Sequence, residues 1–203
     1  MKKQLFLALL VTSALSMFSL NAFPSKQAFS KYKNKYFVET GTFMGDGLQL
    51  ALNLGYPILH SIEISPTHYQ KAKKRFSKNK NVHLWLGDSS KILVDVLRQI
   101  DAPATFWLDG HYSGGDTSKG ETMSPLLREL AAIKNHPIKT HTLLIDDARQ
   151  FGTADFDGLT LEQIKATILS INPNYQFTFE DCGLKQDFLK NDVLVAYIKP
   201  AAS

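Results

Sequence analysis

The 203-residue chain predicts an α/β domain: a seven-stranded, mostly parallel sheet with a C-terminal antiparallel hairpin and helices on both faces. Two observations carry that prediction. From Tyr36 onward, short apolar runs rich in β-branched and aromatic residues alternate with longer segments of helical period, which marks βαβ units and a parallel sheet. Near the C-terminus two such runs follow one another with no helix between them, so they pair antiparallel.

The strand candidates are "YFVET", "PILHSIEIS", "NVHLWLGD", "ATFWLDG", "THTLLIDD", "YQFTFED" and "DVLVAYIK". Between them, "DGLQLALNLG", "SPTHYQKAKKRFSKN", "SSKILVDVLRQID", "SPLLRELAAIKN" and "TLEQIKATILSIN" carry apolar residues at three-and-four spacing. Several open on Ser, Thr or Asp, the residues that cap helix N-termini, and Pro66 stands at the first helical position behind Ser65. The connection "CGLKQDFLKN" joins the last two strands. No internal repeat or low-complexity segment interrupts the pattern.

Ahead of this domain, residues 1–22 hold Lys2 and Lys3, an uncharged apolar run from Leu5 to Leu20 and then small residues, the pattern of a secretory signal peptide. This places the mature protein in the periplasm or outside the cell, with a retained signal anchor as the other outcome. A polar lead-in, residues 23–35, follows, and the folded domain spans residues 36–199. The full chain has a formal charge of +4; removing Lys2 and Lys3 leaves 21 basic against 19 acidic residues, or +2. So weak an excess argues against a nucleic-acid partner, and the run "QKAKKRFSKNKN" reads as the solvated face of a helix. After signal removal no stretch is long and apolar enough for a stable membrane span. The single cysteine, Cys182, excludes an internal disulfide and a cysteine-rich metal site, and reads as a small buried side chain. The oligomeric state is not encoded in any pattern of the sequence.

In open α/β sheets ligands collect at the carboxyl ends of the strands, and the polar residues obey that rule. The first strand ends in "VETGTFMGDG", with Glu39 followed by Gly41, Thr42, Gly45 and Gly47. Glycines here let the backbone approach a ligand, and an acid at the strand end accepts from its hydroxyl or amine groups. The spacing is not the dinucleotide fingerprint, because Leu50 occupies the slot of the third glycine. The second strand ends at Glu63, 22 residues after Gly41, where nucleotide-binding folds place a ribose-binding acid. The third ends at Asp88, followed by Ser89.

With these residues in place, the stretch from residue 36 to 199 resembles the class I methyltransferases that use S-adenosylmethionine, a Rossmann-like fold with the same terminal hairpin. The resemblance implies that the "ETGTFMGDG" loop wraps the methionine part of the cofactor, that Glu63 holds the ribose hydroxyls, and that Asp88 and Ser89 lie beside the adenine. Within that class the sequence is similar to the macrocin O-methyltransferase group, small metal-dependent enzymes acting on sugar hydroxyls.

The fourth strand ends at Asp109 and the fifth in the doublet Asp146-Asp147. In a parallel sheet all three carboxylates emerge at one edge, where they repel unless a cation neutralises them. An oxygen-only set suits Mg²⁺ or another divalent cation. The macrocin-like enzymes carry their metal at the positions matching Asp109, Asp146 and Asp147, and usually place an aspartate base two residues beyond the first ligand. Here that position is His111. As a base it removes the acceptor's proton near neutral pH; as a fourth ligand it favours a softer metal such as Mn²⁺ or Zn²⁺. His60, His68, His83, His136 and His141 are expected to be structural. "YSGGDTSKGETMSP" reads as a lid over the acceptor and "ARQFGTADFDG" as the segment facing it.

The expected function is S-adenosylmethionine-dependent methyl transfer to a hydroxyl of a small molecule or sugar. Two other classes stay open: an exported binding or effector protein that keeps the fold without catalysis, and a metal-dependent hydrolase that uses the Asp cluster and His111.

Overall fold

The computed structural model describes residues 26–112, 120–183 and 188–199. The signal-peptide segment 1–22 and residues 113–119 of the lid segment lie outside the described residues. Seven strands form one sheet: β1 (Tyr36–Thr40), β2 (Ile58–Glu63), β3 (Val82–Leu86), β4 (Ala104–Leu108), β5 (Thr142–Ile145), β6 (Gln176–Gly183) and β7 (Phe188–Tyr197). Their order is β3-β2-β1-β4-β5-β7-β6. Strands β1 to β5 run parallel, and β7 pairs antiparallel with both β5 and β6. The expected architecture is thereby borne out. The hairpin strands reach further into "CGLKQDFLKN" than the sequence suggests, because a bulge between Glu180 and Cys182 absorbs the irregularity and lets pairing continue.

Helices α1 (Lys26–Lys31), α2 (Asp46–Asn53), α3 (Pro66–Arg75), α4 (Ser89–Leu97), α5 (Leu126–Asn135) and α6 (Leu161–Leu169) cover the two faces. Strand alternation divides the core accordingly. Val38, Phe106, Leu143 and Ile145 face Leu93, Leu130, Ile133 and Ile164 of α4, α5 and α6. Phe37, Trp107, Leu144 and Val195 face Phe29, Leu48, Ala51 and Ala72 of α1, α2 and α3. Central strands buried on both faces read as nearly continuous apolar runs, which is why "YFVET" and "ATFWL" are fully buried.

The N-terminal lead-in differs from its polar reading. Residues 26–31 form α1, which seals the sheet with Ala28 and Phe29, both fully buried, and Tyr56 Oη donates to the Phe29 carbonyl at 2.8 Å. Helix α3 starts as expected, with Ser65 accepting from the His68 amide. Helix α6 starts on a capping box formed by Thr160 and Gln163. Among the described residues no helix is long and apolar enough to cross a membrane.

Candidate active site

The parallel strands deliver their C-terminal residues to one edge, and the turn after β1 shapes the site there. Gly41 adopts φ +83, and a Cβ at this position would stand 2.2 Å from the Asp109 carbonyl oxygen, so only glycine lets this loop cross the tip of β4. Gly45, also left-handed, opens α2, and a Cβ at Gly47 would meet Glu39 Oε1 at 2.3 Å.

The carboxylates of this turn face inward. Glu39 is buried; its Oε2 accepts from Ser61 Oγ at 2.6 Å, and burial pushes its carboxyl up to about 8. Thr42 Oγ1 shares a 2.5 Å hydrogen bond with the same Ser61 hydroxyl. Glu63 accepts from the Phe43 amide at 2.7 Å and the Ser65 amide at 2.8 Å, which ties the glycine turn to the end of β2. Each of its oxygens retains acceptor capacity for a further partner.

Gly41, Ile62, Ile64, Gly87, Asp88, Ser89, Gly110, Gly120, Glu121, Thr122 and Pro125 line a cleft of about 380 Å³, counting its open mouth. Of the cofactor residues expected from sequence, Gly41, Asp88 and Ser89 line this cleft directly. Glu39, Thr42, Gly45, Gly47 and Glu63 build the turn beside it. Asp88 caps α4 by accepting from the Ser90 amide at 2.9 Å. Glu121 spans the rim through ion pairs to Lys91 and Arg128, each at 2.5 Å.

On either side of Gly110 stand the residues with metal-binding chemistry. One ligand atom each from Asp109, His111 and Asp147 lies within 4.8 Å of the others. His111 Nε2 is 2.7 Å from Asp147 Oδ2, and His111 Nδ1 is 3.6 Å from Asp109 Oδ1. Nε2 is buried and has no aligned hydrogen-bond partner.

The two side chains of the doublet fall in different clusters. Asp146 clusters with Cys182 and Asp192, its Oδ1 at 3.6 Å from Cys182 Sγ, while its charge also acts on Asp109. Asp147 takes a left-handed backbone, φ 56, an uncommon conformation that Asp tolerates better than most residues, and turns toward His111. Arg149 contacts Asp147 and Asp192 at once, and its amide donates to Asp192 Oδ1 at 3.1 Å.

The electrostatics follow from this crowding. Burial and the charges of Asp146 and Asp147 push Asp109 well above the ordinary aspartate range, although 30% of its side chain stays exposed. Burial and Asp147 do the same to Asp146. Burial also pushes Asp147 upward, but His111 and Arg149 beside it outweigh that and hold it below the ordinary value. Two carboxylates and an imidazole, one nitrogen of it buried and unsatisfied, fit a divalent cation.

Sequence reasoning missed Glu129. This residue of α5 is 1% exposed, and burial raises its carboxyl to about 7 against the hydroxyls of Ser89 and Thr40. Phe156 also belongs here, its ring centroid 5.0 Å from that of His111. Of the two loops expected to face each other, the described parts touch: Asp157 accepts from the Ser124 amide at 3.0 Å. The five histidines expected to be structural include three that sit well away from this edge: His60 accepts from Trp85 Nε1 at 3.2 Å, and His136 and His141 pair at 3.0 Å.

No protein-family profile matches the chain, and no curated protein does so at a significant level. Solved structures do. The O-methyltransferase TomG from Streptomyces achromogenes, involved in tomaymycin synthesis and determined in complex with SAM, is similar at a TM-score of 0.62 and 12% identity, over 86% of this chain and 78% of its own. The SAH-bound methyltransferase PaMTH1 from Podospora anserina is similar at a TM-score of 0.55 and 12% identity, over 86% of this chain and 76% of its own. At such identities the likeness is one of architecture: the chain has the seven-stranded Rossmann-like fold of S-adenosylmethionine-dependent methyltransferases.

Proposed function

We propose that the protein is an S-adenosylmethionine-dependent O-methyltransferase that acts on a hydroxyl of a small molecule or sugar with the aid of a divalent cation. One observation carries this reading. Gly110 lines the cleft, while Asp109 and His111, its two chain neighbours, belong to the candidate metal cluster, so a cofactor pocket and a charged reaction centre share one strand end. The cofactors held by TomG and PaMTH1 in the same fold support it.

In this reading the Gly41–Gly47 turn holds the methionine end of the cofactor, Glu63 the ribose, and Asp88 with Ser89 the adenine. Asp109 and Asp147 hold the cation, with Asp146 behind them. A divalent cation there would neutralise the carboxylates and acidify the acceptor hydroxyl. His111 stands between the two carboxylates and 2.7 Å from one of them, which supports a role as third donor to the cation rather than as a free base. Arg149, held by Asp192, fixes Asp147 in its turned conformation. Phe156, packed on His111 and on Phe151, shields the centre from water. The chain's contribution is positioning: an acceptor oxygen held in line with the methyl group gains most of its acceleration from orientation. The imidazole at position 111 remains the departure from the macrocin-like pattern, and we assign the protein to that group on Asp109, Asp146 and Asp147. Residues 1–22 support export of the mature protein.

Thermal melting tests the reading. S-adenosylmethionine is expected to raise the melting temperature of the purified protein while NAD leaves it unchanged, since a ligand that binds only the native state stabilises it. No response to S-adenosylmethionine would favour the exported binding protein, and a response to NAD would overturn the reading of the glycine turn.

A further inference from the structure

We propose that the open edge of β3 takes an extended peptide segment with acidic ends as an added strand. This surface lies along the side of the sheet and is separate from the strand-end cleft.

The sheet has two lateral edges, β3 and β6. Proteins guard such edges with charges, prolines or bulges, because the unpaired N–H and C=O groups of an edge otherwise pair with another chain. Strand β6 follows that rule: it carries Glu180 and Asp181 and is bulged between Glu180 and Cys182. Strand β3, "VHLWL", has no Lys, Arg, Asp, Glu or Pro and pairs with β2 in an unbroken register.

The hydrogen bonds to β2 fix which groups of β3 face outward. Asn81 O accepts from the Leu59 amide at 2.9 Å, and the Gly87 amide donates to Glu63 O at 2.8 Å. Alternate residues of a parallel strand bond with one neighbour, so His83 and Trp85 face β2 while Leu84 and Leu86 turn their N–H and C=O groups away from it. Among the described residues no strand pairs with them there. Leu86 is 45% exposed, so the side chain at this edge is open as well.

The chain that feeds the edge selects the partner. From Ile64 to Gly87 there is no acidic residue, and Lys71, Lys73, Lys74, Lys78 and Lys80 are exposed. None of these lysines has an ion-pair partner among the described residues, whereas Arg75 is held by Asp46. Helix α3 packs on β3, and the turn that carries Lys78 and Lys80 leads into it, with the Val82 amide donating to Asn79 O at 3.1 Å. Pairing with β3 of a second copy would set two basic helices side by side. Phosphate groups of a nucleic acid would meet the lysines but, having no donors, would leave the C=O groups unpaired. An extended peptide answers both features, because its backbone continues the ladder and acidic side chains near its ends meet the lysines.

Amide hydrogen exchange of the full chain, read by NMR, tests this with a synthetic peptide of alternating Val and Thr flanked by glutamates. Saturating peptide is expected to slow exchange at Leu84 and Leu86 by at least about tenfold, since both amides become ladder donors. The affinity should fall as salt is raised. A peptide with Pro in its core, which cannot complete the ladder, and one flanked by lysines should leave both amides unchanged. Lys78→Glu combined with Lys80→Glu, at exposed positions, should weaken binding at least about tenfold. Leu86→Lys, which places a guarding charge on the edge, should abolish the protection. No protection of Leu84 and Leu86 by the glutamate-flanked peptide, or equal protection by the control peptides, overturns the proposal. So does protection that grows with protein concentration in the absence of peptide, which would assign the edge to a second copy, and so does an oligouridine that binds where the peptide does not.

Discussion

His111 Nε2 lies 2.7 Å from Asp147 Oδ2, and the same ring reaches Asp109 through its other nitrogen at 3.6 Å. The imidazole is wedged between two carboxylates that the chain has turned toward it, one of them by way of a left-handed backbone. If these groups hold a cation, His111→Ala and Asp147→Asn should each abolish the rise in melting temperature that Mn²⁺ gives the wild type. Saturation at 100-fold above the dissociation constant is worth about 2.7 kcal/mol. Asp146→Asn, whose side chain faces Cys182 and Asp192, should keep part of it. A full Mn²⁺ response in His111→Ala would return the histidine to the role of a proton acceptor.

Gly41→Ala tests the turn that the cleft depends on. The substitution forces a non-glycine residue to φ +83 and drives its Cβ into the Asp109 carbonyl, 2.2 Å away. Strain and clash together should cost about 2–4 kcal/mol in urea unfolding. Binding of S-adenosylhomocysteine should fall with it, since Gly110 lies next to the displaced carbonyl. Unchanged stability would mean that the loop crosses β4 with room to spare.

Two buried histidines predict acid sensitivity. Burial, with His83 stacked beside it, lowers His60 from its ordinary 6.5 to about 4; burial, His136 and Lys139 lower His141 to about 3. Both rings stay neutral in the fold while the unfolded chain protonates, so their contribution is complete above pH 6.5 and is lost as pH falls toward 4. At pH 5 the loss should be roughly 1–2 kcal/mol for each ring. Glu39 works in the other direction. Raised to about 8, it contributes fully below 4.5 and loses that contribution as pH climbs through 8. Urea unfolding from pH 4 to 9 should trace a maximum between these limits. His60→Gln, which keeps an acceptor for Trp85, should flatten the acid limb, and an unaltered slope would contradict the assignment.

Phe29→Ala examines the helix that the lead-in forms. Phe29 is fully buried, with its ring centroid 5.0 Å from that of Phe37 and 5.3 Å from that of Trp107. Its truncation should cost about 3–5 kcal/mol, as for other buried aromatic residues. A cost below about 1 kcal/mol would show that α1 is not part of the cooperative unit.

The sheet was legible because strands buried on both faces leave long apolar runs, and because "YFVET" carries Glu39 next to its end and "THTLLIDD" ends in two aspartates, at the edge where ligands gather. Helix α1 was not, since Ala28, Phe29 and Tyr32 are its whole apolar signal among Lys26, Lys31, Lys33 and Lys35. The doublet Asp146-Asp147 reads as one ligand pair in sequence. The left-handed backbone at Asp147 turns the two side chains apart, a consequence of backbone geometry that residue type alone does not carry. Glu129 did leave a trace: Leu126, Glu129, Leu130 and Ile133 share one helical face, and a carboxyl on an apolar face marks a buried polar site. Which oxygen lacks a partner becomes visible only with the fold assembled.

The proposed function requires that the cleft beside Gly41, Asp88 and Gly110 takes S-adenosylmethionine. Its most direct test is titration calorimetry of S-adenosylmethionine into the full-length wild-type protein at neutral pH, with NAD as the control. Saturable binding of one molecule per chain and no heat from NAD are expected. A folded protein that gives no binding heat with S-adenosylmethionine would contradict it.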